Sequence, residues 1–81
     1  MLSRKDIKVG VYVGDINRPH RFWRVDNIIN GTIYSSIFMA PDYIPKKVPY
    51  PDTIDEWLLI NESYIVSPIK VTLLTGKRCD A

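Results

Sequence analysis

Residues 17–25, NRPHRFWRV, place three arginines, the single histidine, a phenylalanine and a tryptophan within nine positions. Arginine offers a planar fork of donors that grips phosphate or carboxylate at two points, and an exposed ring can stack a base. Arg18, His20, Arg21, Phe22 and Arg24 are therefore candidate contacts for an anionic ligand or nucleic acid, with Lys46 and Lys47 in support if a later loop converges on them. In the competing reading the arginines are solvated charge, His20 caps a turn, Phe22 covers the rim of the core, and Trp23 and Val25 are core. A second candidate surface is APDYIPKKVPYPD, residues 40–52. Its prolines lower the entropy cost of ordering the loop, and Tyr43, Ile44, Val48 and Tyr50 between them suit recognition of another protein. Alternatively, these four side chains fold back as a lid over a core that a short chain does not otherwise close.

Catalytic chemistry is hard to assemble from this composition. Acid–base and nucleophilic catalysis need convergent groups of suitable pKa. The chain has one histidine, on a turn, and one cysteine, Cys79, in its tail. A tail does not supply the fixed electropositive pocket that activates a thiolate. Structural zinc wants about four Cys or His ligands. Asp52, Asp55 and Glu56 lack the glycine and the ligand alternation of a calcium loop, and read as helix-capping and surface groups. Gly10 and Gly14 lie inside a strand pattern rather than in a phosphate-binding loop. No catalytic residue, metal ligand or cofactor is assigned, and the expectation is a binding module that is not an enzyme.

The elements that position these residues belong to one small domain of 81 residues, with a core over about 7–74 and a frayed tail at 75–81. A chain this short buries only roughly 60% of its unfolded surface. The hydrophobic fraction of 46% and charged fraction of 25% are those of an ordinary globular chain. Net charge is +2, which is mild for a nucleic-acid binder. Six cations fall within residues 1–24 and the acids Asp52, Asp55, Glu56 and Glu62 within 50–62; the two groups are expected to neutralise each other across the fold. One cysteine and no apolar leader point to a reducing, cytoplasmic setting, and no window reaches membrane-spanning length.

Periodicity reads as all-β. IKVGVYVGD alternates with Val9, Val11 and Val13 on one side, and its glycines mark bulges or close backbone approach. RFWRVDNII alternates with Trp23 and Val25 opposite Phe22 and Arg24, and Ile28-Ile29 marks a bulge or change of face. Asn30-Gly31 is a hairpin signal, because a type I′ turn needs positive φ at both central residues. TIYSSIFM follows as a strand. Four prolines then bar a regular ladder through residues 40–53. EWLLI reads as a short strand, with one helical turn within residues 52–59 as the alternative, capped by Asp52 or Thr53. YIVSPIKVTLL reads as a final strand with Pro68 at an edge or bulge.

The Lys8-Val9-Gly10 opening, the Trp23-Arg24-Val25 strand with Ile28, the Asn30-Gly31 hairpin and a closing strand after Trp57-Leu58 resemble the SH3-like small-barrel group, including Tudor-like and KOW-like modules. The resemblance is architectural and spans about residues 7–70. It implies a small five-stranded SH3-like barrel, or a strongly bent antiparallel sheet, with one long proline-rich loop. It also implies partner binding by residues 15–22 and 40–55. The function expected first is a protein-interaction or inhibitory accessory module, since charge is mild and the longest irregular segment is apolar. The alternatives are a nucleic-acid-binding module using the loop 18–24, or a binder of a small anionic ligand such as a nucleotide. A second copy of the chain is a compatible partner; a membrane is not expected.

Overall fold

The Asn30-Gly31 pair organises the molecule. In a computed structural model describing residues 2–59 and 63–76, Asn30 (φ 50°) and Gly31 (φ 77°) both take left-handed backbone. They join β2 (Arg21–Ile29) to β3 (Thr32–Met39), with Ile29 opposite Thr32. This is the two-residue hairpin predicted from the sequence, and its strands are the two longest of the structure. β1 (Tyr12–Asp15) pairs antiparallel with β2 on one side and with β6 (Ser63–Val66) on the other. Two-residue strands β4 (Lys46–Lys47) and β5 (Asp52–Thr53) both pair with β3. The path β4-β3-β2-β1-β6 is one open antiparallel sheet and does not close on itself as a barrel.

Two helices depart from the strand reading. α1 (Ile54–Leu58) takes in Glu56, Trp57 and Leu58 and is the alternative helical turn, started by Thr53, whose hydroxyl accepts from the Glu56 amide while Glu56 accepts from the Thr53 amide. α2 (Pro68–Thr75) replaces the second half of the expected last strand. Pro68 sits in its first turn, where a missing N–H costs nothing, Ser67 caps it, and Gly76 ends it with φ 68°. The alternation in YIVSPIKVTLL therefore belongs to a strand up to Val66 and to a helix after Ser67. The prolines of residues 40–53 do not exclude pairing either: β4 and β5, each a pair of residues between or after prolines, attach the loop to β3. The first strand is shorter than its pattern, because Gly10 (φ 92°) turns the chain and leaves Val9 exposed. The expected tail lies outside the described residues from Lys77 onward, Cys79 included.

The sheet buries both faces. On one, Val13, Val25 and Ile33 pack with Ile54 and Trp57 of α1 and with Leu2 and Ile7 from the N-terminal segment. On the other, Phe22, Phe38 and Val66 pack under Val71 of α2, with Tyr12, Tyr43 and Tyr64 around them. This reverses the expected places of Phe22 and Trp23. Phe22 is 3% exposed and central, whereas Trp23 is half-buried at the edge of the first cluster. The alternation along β2 holds, but the structure covers both of its faces, which makes Phe22 core as well as Val25. Gly14 is a close-approach glycine: a Cβ built there would lie 2.8 Å from the Tyr64 ring of β6. The bulge falls at Asp26, between Val25 and Asn27, earlier than the Ile28-Ile29 pair marked for it.

Candidate functional site

The arginine stretch folds as a turn leading into β2, and its cations are drawn into separate places. Buried Asp15 accepts from the Asn17 amide at 2.9 Å and from Arg18 Nη1 at 3.1 Å, which shapes the turn. Arg18 and His20 are exposed, whereas Arg21 and Arg24 are half-buried. Arg21 lies over the Trp23 ring at 5.2 Å, and its buried Nε has no partner among the described atoms. Arg24, on the opposite face beside Phe22, donates to Asp26 at 2.7 Å and lies 5.3 Å over Phe38. Burial alone would raise the Asp26 carboxyl. Hydrogen bonds from the Ser36 hydroxyl and the Arg24 guanidinium outweigh it and hold Asp26 below the ordinary carboxylate range. The same Asp26 bond raises Arg24 further. Strand alternation thus sends Arg21 and Arg24 to opposite sides of the sheet.

The proline-rich segment divides its four candidates. Tyr43 takes φ 54° and stacks on Phe22 at 5.7 Å, and Val48 is half-buried with its amide donating to the Ser35 carbonyl. These two pin the loop. Ile44 is 59% and Tyr50 79% exposed. Ile44 joins Ile37, Met39, Pro41 and Lys46 around a cleft of about 210 Å³ at the end of β3. Lys46 and Lys47 are exposed on β4, opposite Ile37 and Ser36. The Ala40 amide donates to the His20 carbonyl, so the turn and the loop start together at one end of the sheet.

A second cavity, also about 210 Å³, lies under α1. Its walls are Trp23, Trp57, Val13 and Ser63, with the carboxylates of Asp15, Asp52 and Glu56. The Trp57 indole N–H donates to Asp52 at 3.1 Å, and one Glu56 oxygen is held by the Thr53 amide and hydroxyl. The two cavities share one side of the sheet. Val13, Trp23, Ile37 and Lys46 form a single cross-strand row through β1, β2, β3 and β4, and directly opposed side chains point to the same face. Sequence patterning had put Trp23 in the core and the three acids at turns, caps and surface. Only the pairing of β1 with β2 and the seating of α1 bring them together. The one local signal was Asp52 standing five residues before Trp57 across a capping box.

Among the described residues, no cluster of three or more His, Cys, Asp or Glu side chains is arranged to hold a metal ion, and no helix is long and apolar enough to cross a membrane. Comparison with known proteins finds no matching family model, no matching curated protein and no matching solved structure.

Proposed function

We propose that the protein is a non-catalytic interaction module, an accessory or inhibitory binder of another protein, that grips its partner with the end of β3 and the proline-rich loop. The observation that carries this is the loop itself. Tyr43 and Val48 anchor it, while Ile44 and Tyr50 stand out, Ile44 on a cleft it shares with Ile37, Met39, Asp42 and Lys46. Large side chains on a loop already ordered bind at small entropy cost. The short antiparallel strands and the partner-facing loop also suit the SH3-like resemblance, with the sheet as an open, strongly bent member of that architecture. The arginine stretch supports an anionic ligand less well, because Arg18 and Arg24 each already hold a carboxylate and Arg21 and Arg24 face opposite ways.

The test is capture of a partner from source cells with a photo-crosslinking residue at position 50, compared with position 8, an exposed residue of the N-terminal segment. Cross-linking at 50 and not at 8 is expected. Ile44→Ala with Tyr50→Ala should weaken association by about tenfold or more while leaving thermal stability nearly unchanged. Association should survive nuclease and a few hundred millimolar salt, since an apolar contact is not phosphate-led. Loss on nuclease treatment would transfer the function to the arginine stretch.

A further inference from the structure

The cavity under α1 has a composition that the loop reading leaves unused. Two indoles and three carboxylates line a space of about 210 Å³. The carboxylates do not converge as a metal-binding group does; they are distributed around the walls, at the end of β1 (Asp15), on β5 (Asp52) and on α1 (Glu56). Such spacing suits a planar cation that presents donors in several directions and stacks on rings. A guanidinium has five donors in a rigid fork and packs flat on aromatic faces. A quaternary ammonium, which donates nothing, would waste the acceptors.

Charge leads to the same ligand. Asp15 is paired with Arg18, whereas Asp52 and Glu56 have no ion-pair partner among the described residues, so the cavity wall carries negative charge that no cation among those residues meets. Arg21 already lies over the Trp23 ring, its guanidinium carbon 5.2 Å from the ring centroid, so one of the two indoles meets a guanidinium within the chain itself. Across the row Trp23–Ile37 the cavity adjoins the cleft beside Ile44, so one partner segment can fill the cleft with an apolar side chain and the cavity with a basic one.

We propose that the cavity between Trp23 and Trp57 receives the guanidinium group of an arginine side chain presented by the protein partner. The identity of the donor as a protein rests on the function proposed above; the preference of the cavity for a guanidinium does not. In the bound state the guanidinium lies against the indoles and donates to Glu56 and Asp52.

The experiment titrates the isolated protein with N-acetyl-arginine amide, N-acetyl-lysine amide and the neutral N-acetyl-citrulline amide. The readout is the two indole N–H signals by nuclear magnetic resonance, both of which belong to cavity residues. A saturable shift of both is expected with the arginine compound, with the lysine compound weaker by about tenfold and the citrulline compound silent. Glu56→Gln should weaken arginine binding by about tenfold without unfolding the domain, because glutamine also completes a capping box. Ile44→Ala with Tyr50→Ala should leave it unchanged, which separates a failure of the cavity from a failure of the loop. No saturable shift with arginine, equal or tighter binding of lysine, or equal binding of citrulline would overturn the proposal.

Discussion

The face of the sheet under α1 is aliphatic and indole-lined, with Val25 and Ile33 fully buried. The face under α2 is aromatic: Phe22 stacks on Phe38 at 4.9 Å, Tyr43 covers Phe22, and the Tyr12 ring meets both phenylalanines edge-on at 5.8 Å. Flat rings fill the aromatic face closely, and its polar groups are paired internally through Arg24, Asp26 and Ser36. The α1 face is spanned by a helix of five residues and one bulky indole, which leaves a cavity lined by Asp15, Asp52 and Glu56. Both faces hold the fold, through fully buried Val25 and Ile33 on one and the stacked phenylalanines on the other, and the cavity lies on the α1 face.

The largest expected effect tests that contrast directly. Phe22→Ala should cost about 3–5 kcal/mol and Ile33→Ala about 2–5 kcal/mol, measured by denaturant unfolding. Phe22→Ala should also loosen the proline-rich loop, since it removes the ring that Tyr43 stacks on. Amide exchange in residues 41–50 should therefore rise in Phe22→Ala and not in Ile33→Ala. Equal exchange in both would break the comparison.

A smaller effect concerns how tightly β6 is pressed onto the aromatic face. Gly14→Ala places a Cβ within 2.8 Å of Tyr64 Cζ and should destabilise by about 1–3 kcal/mol through overpacking. Adding Tyr64→Ala should recover part of that loss, and the double-mutant coupling measures the contact. No coupling would mean that the ring moves aside freely.

The smallest effect is electrostatic. Asp26→Asn should cost about 1–2 kcal/mol at neutral pH by weakening the bonds from Arg24 and Ser36. The Asp26 carboxyl is lowered in the folded protein, so its contribution is complete above the unfolded carboxylate pKa of about 4 and disappears as pH falls through the folded value. The stability difference between wild type and Asp26→Asn should therefore be flat above about pH 5 and shrink below about pH 4. Raised Arg24 titrates far above this range and contributes no slope to it. A difference that does not shrink at all as pH falls below about 4 would place the effect in packing rather than in charge.

Short-range chemistry was written into the chain itself. Asn30-Gly31 fixed a type I′ turn because few residues tolerate positive φ twice in succession. Alternation along β2 and β3 separated Phe22 and Arg24 from Trp23 and Val25, since side chains on a strand point alternately to opposite faces. Thr53 and Glu56 carried a capping box, and Tyr43, Ile44, Val48 and Tyr50 were legible as loop residues because prolines surround them. What alternation does not encode is which face is covered, or by what. That was decided when Pro68, read as a strand edge, became the first turn of a helix that lies over Phe22 and Phe38. Nor does local pattern place Asp15, Asp52, Glu56 and the two tryptophans around one cavity, because they lie on two segments, β1–β2 and β5–α1, distant in sequence. Their meeting depends on strand register and on the seating of α1, which are set by packing the whole chain together rather than by the preferences of any segment.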